Sequence, residues 1–393
     1  MHEYTYLILG GGMAADAAAQ GIRQQDTEGS IGIISGEQDP PYNRPPLSKG
    51  LWKGMEEKFI WRDAESKGAT LHLSTTATSL DPERHLVTDA TGAKYQFQKL
   101  LLATGGTPIR LPDSPEGIIY FRTYQDYRRL RELADSKETF TVIGGGFIGS
   151  EIAAALASLG KQVTMIFPES GIGGRVFPPD VSDFLTAYYR KKDVTVMTEE
   201  LVDAVTASGD GYRIALRSGS EVEAEGVVAG LGIRPNVDLA QAAGLPVEDG
   251  IRVGASLRTS HPDIFAAGDV ANFYNPVLET YLRVEHEENA NQQGLTAGKN
   301  MAGGSQTYDI LPSFYSDLFD LSYEAVGETS PDMDIVQDWQ AEFREGVIYY
   351  LRNGRVRGVA VWGIWQQMDP ARALIAEKGP FREADLQGRL PAE

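Results

Sequence analysis

Tyr4-Thr5-Tyr6-Leu7-Ile8-Leu9-Gly10-Gly11-Gly12-Met13-Ala14-Ala15 is the stretch that decides how this chain folds. An apolar strand runs into Gly10-x-Gly12-x-x-Ala15, the form of a dinucleotide fingerprint. The first glycine allows a sharp exit from the strand, the second lets the backbone approach a pyrophosphate, and the third position stays small so that helix and strand pack closely. Unpaired N–H groups and the helix dipole then favour negative charge at the first turn. Alanines 14, 15, 17, 18 and 19 give that helix a small face suited to lying on a sheet. One such match could be an ordinary strand–turn–helix without a ligand. The motif recurs, however, as Thr139–Ile143 followed by Gly144-x-Gly146-Phe147-Ile148-Gly149, with alanines 153, 154, 155 and 157 behind it. Far downstream, Ile264-Phe265-Ala266-Ala267-Gly268-Asp269 has the apolar-strand-then-Gly-Asp form of a second contact to a flavin. Two nucleotide sites in one chain predict electrons passing between two cofactors.

Composition bounds the rest. With 393 residues, 42% of them hydrophobic, the chain can fill two or three domain cores. A formal net charge of −19 argues against nucleic acid, which needs clustered Lys and Arg to release counterions, and is read as a solvated acidic surface. No run approaches the ~18 uncharged apolar residues of a membrane span, and a fingerprint strand beginning at Tyr4 leaves no room for a targeting peptide, so the expectation is a cytoplasmic protein without a membrane span. There is no cysteine, which excludes a redox-active thiol pair, disulfides and Cys-ligated metal or iron–sulfur centres. Histidines 2, 72, 85, 261 and 286 have no ligand spacing, so no metal site is expected.

The order of elements repeats. After the first fingerprint come short strands and turns (Leu80–Thr88, Thr91-Gly92, Tyr95–Phe97), then an apolar strand from Leu100 to Gly106. The second is followed by Val194–Val205, a turn at Ser208–Gly211, Tyr212–Leu216, Glu221–Glu225 and the apolar Val227–Gly232. A repeat this long fits duplicated nucleotide-binding domains rather than a solenoid. Towards the C-terminus, Val347–Leu351, Asn353-Gly354 and Val356–Trp362 read as a hairpin on a type I′ turn, with a helix at Ala371–Glu377. Tyr349, Tyr350, Trp362 and Trp365 are expected in its core.

An acid at the end of the second strand of such a unit binds ribose hydroxyls and repels a 2′-phosphate. Glu169, after Val163–Phe167, takes that place in the second unit and favours NADH; Arg175 could instead meet a phosphate, which leaves weak NADPH use open. In the first unit Glu37 follows Ile31–Ile34 and is either a ribose partner or an exposed loop carboxylate.

Pro41–Lys49 with Leu51-Trp52, Leu101–Pro108, Ile143–Glu151, Phe167-Pro168-Glu169, Gly232–Asn236, Gly268-Asp269 and Arg283–His286 together resemble the FAD-dependent pyridine nucleotide reductases. Gly346–Leu351 and Val361-Trp362 make the resemblance greatest to the apoptosis-inducing-factor group, with oxygenase-type ferredoxin reductases next. The resemblance implies an α/β chain of two Rossmann-like, glutathione-reductase-like dinucleotide-binding domains plus a C-terminal α+β domain. Residues 1–112 and 251–310 would bind FAD, 113–250 NADH, and 311–393 would form the last piece. It assigns Gly10, Gly12, Met13, Ala14, Ala15, Glu37, Arg44, Lys49, Thr104, Gly105, Gly106, Arg110, Gly268, Asp269, Glu285, His286 and Tyr315 to FAD. To NADH it assigns Gly144, Gly146, Phe147, Ile148, Gly149, Glu151, Glu169, Arg175 and Gly232.

Lys49 and Glu151 carry the chemistry that the resemblance implies. Lys49 would sit beside flavin N5 as the fixed cation that stabilises an anionic reduced flavin, paired with Glu151, which would also hold the nicotinamide carboxamide. Taken alone, a loop lysine and a first-turn glutamate are ordinarily solvated. The chain departs from the group in five places. Gly36 stands where relatives carry the flavin-ribose acid, one residue before Glu37, and Arg110 falls one position later than the usual arginine. Tyr315 replaces a tryptophan near the flavin, and Glu287 replaces an aromatic residue or histidine. The short Thr329–Glu345 segment lacks the long insertion of the animal protein.

The expected activity is transfer of hydride from NADH to FAD, then of electrons to an external acceptor: ferredoxin, a quinone or other small oxidant, or oxygen. The acidic charge weighs against an acidic ferredoxin unless Arg122, Arg128, Arg129 and Arg131 form a basic patch rather than a solvated helix face. The competing reading is a redox sensor resembling apoptosis-inducing factor, holding a long-lived charge-transfer complex and forming a homodimer in response to NADH. A thiol reductase of the same fold fails for want of cysteine.

Overall fold

The computed structural model describes residues 1–390, so the last three residues of the expected C-terminal piece lie outside the described residues. The chain divides into two compact units. Unit 1 comprises Met1–Arg44, Glu56–Thr107 and Arg234–Pro312; unit 2 comprises Pro45–Met55, Pro108–Ile233 and Ser313–Glu393.

Unit 1 is built on a seven-stranded sheet whose parallel part runs Ala69–His72, Ile31–Ile34, His2–Leu9, Lys94–Leu102. Leu7, Ile8 and Leu9 pair with Gly32, Ile33 and Ile34 on one side and with Leu100, Leu101 and Leu102 on the other, and all three leucine and isoleucine side chains are fully buried. A strand covered on both faces has no polar side to present, hence the uninterrupted apolar reading. Ile264–Ala266 adds beside Leu100–Leu102, placing Gly268-Asp269 at the same end of the sheet as Gly10. The helix Met13–Arg23 packs on Glu287–Met301 at backbone distance: a side chain at Gly298 would lie 2.1 Å from the Ala18 carbonyl oxygen.

The sequence reading of the connecting strands is corrected in detail. Leu80–Thr88 is a hairpin, Ala77–Asp81 with Leu86–Asp89, because Pro82 cannot pair through an N–H and His85 turns at φ 51°. Tyr95–Phe97 and the apolar run after it are one strand, Lys94–Leu102.

Unit 2 carries a parallel sheet ordered Val194–Met197, Gln162–Ile166, Thr139–Ile143, Gly226–Ala229, Ile119–Tyr120, with a three-stranded antiparallel sheet from 202 to 224. Val194–Val205 is broken at Glu199 (φ 56°), whose N–H, with that of Glu200, satisfies the Glu169 and Phe167 carbonyls beyond the neighbouring strand. The unit also contains a five-stranded antiparallel sheet, Ser313–Leu318, Leu321–Gly327, Arg355–Trp362, Glu345–Arg352, Asp334–Ala341. Asn353 and Gly354 both take positive φ in its hairpin turn. Tyr349, Tyr350 and Trp362 are buried as expected, and Trp362 packs with Phe177 and Tyr323. Trp365 is 53% exposed, because the strand ends at Trp362 and the chain turns outward before the helix Met368–Ala376. Among the described residues no helix is long and apolar enough to cross a membrane.

Candidate functional site

Both fingerprint turns take the conformation their glycines predict. Gly10 (φ 114°) and Gly144 (φ 120°) turn with their backbone against the facing strand, where a Cβ would stand 2.0 Å from the Ala103 oxygen and 2.3 Å from the Gly230 oxygen. Gly12 and Gly146 are the N-caps of the helices Met13–Arg23 and Phe147–Ser158, without a side-chain cap, and a Cβ on either would meet nothing within 4 Å. Each turn is therefore a cradle open to a ligand at the second glycine, lined by first-turn N–H groups, which fits a pyrophosphate. Met13, Ala14 and Ala15 follow in one turn; Phe147, Ile148 and Gly149 in the other. The third position differs. Ala15 is tolerated fully buried, whereas a Cβ at Gly149 would lie 2.0 Å from the Gly144 oxygen.

Unit 1 gathers most residues assigned to FAD. Thr104 Oγ donates to the Asn236 carbonyl at 2.8 Å and the Asn236 amide donates back to the Thr104 carbonyl, fixing the turn that contains Gly105 and Gly106. Gly268 (φ 78°) donates its N–H to the buried Gln293 at 2.9 Å, which orients the Gly268-Asp269 turn. Glu37 accepts from the Tyr42 hydroxyl at 2.6 Å and from Arg44 at 2.5 Å. Burial pulls the Arg44 guanidinium down, but Tyr42, Glu37 and Asp269 more than offset it and raise its pKa. Glu285 pairs with Arg283 at 2.6 Å, and His286 is the N-cap of Glu287–Met301. Desolvation lowers the His286 pKa to about 4 against the pull of Asp269, so the ring is neutral at physiological pH. Arg110 belongs to unit 2 instead, exposed, with its guanidinium 4.8 Å from the centre of the Tyr120 ring.

In unit 2, Lys49 and Glu151 form a sequestered ion pair, Nζ to Oε1 2.8 Å, with side chains 11% and 1% exposed. Two further donors close on the carboxylate: Ser48 Oγ to Oε2 at 2.5 Å and Ser316 Oγ to Oε1 at 2.6 Å. A buried carboxylate is tolerated only when its lone pairs are met in this way. Tyr315 lies under the Lys49 ammonium, 5.0 Å to the ring centre. The phenols of Tyr189 and Tyr323 are pushed well above their ordinary pKa by desolvation and the Glu151 charge. Glu169 accepts from Arg175 Nε at 2.5 Å, with Arg175 itself 79% exposed, and Gly232 turns at φ 85°. Ser48 lay in the stretch already singled out in sequence, but nothing in the sequence pointed to Ser316, which is 165 residues from its partner.

One grouping was invisible to spacing. His85, His261 and Asp263 bring their donor atoms within 4.8 Å of one another. His85 Nε2 lies 3.2 Å from Asp263, the Asp263 N–H donates to His261 Nδ1 at 3.2 Å, and the Lys99 ammonium takes the other carboxylate oxygen. Lys99 supplies the counter-charge that a cation would supply, so the group reads as an ion-pair cluster.

Comparison with known proteins accords with this geometry. The 5,5'-dehydrodivanillate O-demethylase ferredoxin reductase subunit of Sphingobium is 33% identical over 96% of this chain and 94% of its own. Apoptosis-inducing factor 1, mitochondrial, of Dictyostelium discoideum is 32% identical over 96% of this chain and 79% of its own. The crystal structure of the covalent putidaredoxin reductase–putidaredoxin complex superposes with a TM-score of 0.89 at 28% identity, covering 98% of this chain and 95% of that one. Residues 328–377 match the C-terminal region of apoptosis-inducing factor, mitochondrion-associated. Residues 4–294 match pyridine nucleotide-disulphide oxidoreductase, and the chain belongs to that family as an FAD-dependent oxidoreductase of pyridine nucleotides.

Proposed function

We propose that the chain takes hydride from NADH and passes the electrons to a separate protein acceptor of the ferredoxin type. The observation that carries this reading is the Lys49–Glu151 pair, a sequestered anion on the helix that opens with the second fingerprint and a cation from the loop before Gly50–Lys53. When bound, FAD supplies an acceptor for hydride and a donor of electrons to the next molecule. Gly12, Met13, Ala14 and the Gly268-Asp269 turn would hold its phosphates and ribityl chain, and the Glu285-His286 backbone its ring. Gly146, Phe147 and Ile148 would receive the pyrophosphate of NADH. Glu169 would accept from the ribose hydroxyls and, by its charge, disfavour a 2′-phosphate; Arg175, 79% exposed and screened by solvent, neutralises only part of that charge. Glu151 would receive the nicotinamide carboxamide and Lys49 would stabilise negative charge developing on the ring system during transfer. A chain without cysteine has no thiol to receive the electrons, so they leave to another molecule.

The kinship with two ferredoxin reductases supports a protein acceptor. Against it stands the net charge of −19, which repels an acidic partner except at locally basic surface. Arg128 and Arg131 each face a carboxylate one helical turn on, at 3.8 and 3.9 Å. Arg110 and Arg129 instead line one surface cavity of about 550 Å3 with Arg122.

Lys49→Ala tests the reading. Stopped-flow reduction by NADH is expected to slow about 10- to 100-fold with FAD still bound, corresponding to about 1.4–2.7 kcal/mol of lost charge stabilisation. An unchanged rate removes the assigned role. In the same experiment NADPH should reduce the protein more slowly than NADH, and added ferredoxin should reoxidise it faster than air.

A further inference from the structure

The carboxylate of Glu151 is almost saturated. A carboxylate offers about four acceptor directions. Oε1 takes Lys49 and Ser316, and Oε2 takes Ser48, so one direction remains, on Oε2. The two hydroxyls, 5% and 1% exposed by residue, come from segments of unit 2 far apart in sequence, one beside Lys49 and the other on the strand Ser313–Leu318 of the antiparallel sheet. Being neutral, they fix the orientation of the carboxylate without adding positive charge to a group that Lys49 already balances.

We propose that Ser48 and Ser316 are positioning residues that lock Glu151 so that its remaining acceptor direction meets the carboxamide N–H of a nicotinamide dinucleotide. The inference rests on the role given to Glu151 above and gives the C-terminal sheet a part in recognising the nucleotide. It carries a specificity: a dinucleotide bearing nicotinic acid brings a carboxylate against a carboxylate and is refused.

The test is a double-mutant cycle on the FAD-loaded protein, read by calorimetric NAD+ affinity and by the rate of reduction by NADH. Ser48→Ala and Ser316→Ala are each expected to weaken NAD+ binding about 3- to 10-fold, the value of one ordinary hydrogen bond, because the carboxylate is loosened and not lost. In a Glu151→Gln background the same substitutions should change affinity less than about 2-fold. Equal losses in both backgrounds mean that the serines act only on the fold, and overturn the proposal while leaving Glu151 its role. Undiminished NAD+ affinity and reduction rate in Glu151→Gln itself would overturn both. If Ser316→Ala does not fold, Ser48→Ala, acting on the other oxygen, carries the cycle alone. Nicotinic acid adenine dinucleotide should bind the unsubstituted protein at least about 10-fold more weakly than NAD+; equal binding also overturns the proposal.

Discussion

Each fingerprint helix buries an acid near its start, and the two acids are treated differently. On the helix Met13–Arg23, Asp16 has its side chain 7% exposed and is closed by two cations, Lys67 at 2.6 Å on one oxygen and Arg62 at 3.3 Å on the other. On the helix Phe147–Ser158, Glu151 is more deeply buried and has one cation and two hydroxyls. Asp16 faces two cations, which tie its helix to the segment around residues 62–67. Glu151 faces one ammonium, and its remaining partners are neutral hydroxyls. The pair teaches that burial of an acid does not mark it as functional; what distinguishes the two is whether the partners are all cations or include neutral donors that orient the carboxylate.

The comparison breaks most readily at Asp16. Asp16→Ala strands two cations in a largely desolvated site, and loss of one member of a buried ion pair costs about 3–5 kcal/mol. Urea unfolding should show that loss, while the folded fraction binds NAD+ with unaltered affinity. A variant of unchanged stability but impaired nucleotide binding would assign Asp16 to the chemistry and end the distinction.

A smaller effect separates the third fingerprint positions. Gly149→Ala forces a Cβ to within 2.0 Å of the Gly144 oxygen, so the second turn must open. Overpacking of this kind costs about 1–3 kcal/mol, and the opened turn should bind NAD+ several-fold more weakly. The converse change, Ala15→Gly, removes a methyl group from a helix and should cost only about 1 kcal/mol, with FAD content preserved. Equal effects of the two changes, measured by thermal unfolding, would mean that the turns are equivalent after all.

Much of this was legible in sequence because it is local. Gly10 and Gly144 announce backbone conformations that few other residues adopt, and the uninterrupted Leu7–Leu9 and Leu100–Leu102 runs announce strands covered on both faces. Asn353-Gly354 announced its own turn for the same reason. What escaped depends on long-range pairing. Nothing near Ser316 signals a hydrogen bond to Glu151, and nothing in the spacing of His85 and His261 signals that the strand Lys94–Leu102 and its neighbours bring them within one cluster. Trp365 was misplaced because aromatic composition records burial on average, whereas its exposure follows from where one strand ends. Arg110, one residue later than the arginine of the group, has its guanidinium over Tyr120.

The smallest expected effect sets the two units apart by pH. His286 in unit 1 has its pKa held at about 4 by desolvation, with Asp269 recovering part of the loss. In the unfolded chain a histidine titrates near about 6.5. Between those values the unfolded state binds a proton that the folded state refuses, so stability falls as pH drops from about 6.5 to about 4 and levels below. Asp320 in unit 2 behaves in a different window. A hydrogen bond from Tyr188 lowers its pKa most, burial opposes this, and Lys192 adds to it, leaving the value at about 2. Its contribution is complete above about 3.8, the unfolded value, and is lost only as pH falls towards 2. Acidification from pH 7 to 5 therefore weakens the protein through His286 and not through Asp320. The full His286 shift corresponds to about 3 kcal/mol, and solvent screening of a half-buried ring reduces this to about 1–2 kcal/mol. His286→Asn keeps a competent N-cap and removes the titration; about half of the shift is expressed between pH 7 and pH 5, so the difference in unfolding free energy between them should shrink by about 0.5–1 kcal/mol. Asp320→Asn should leave that difference untouched, and a pH 7 to 5 difference insensitive to His286→Asn would place the acid-sensitive group elsewhere.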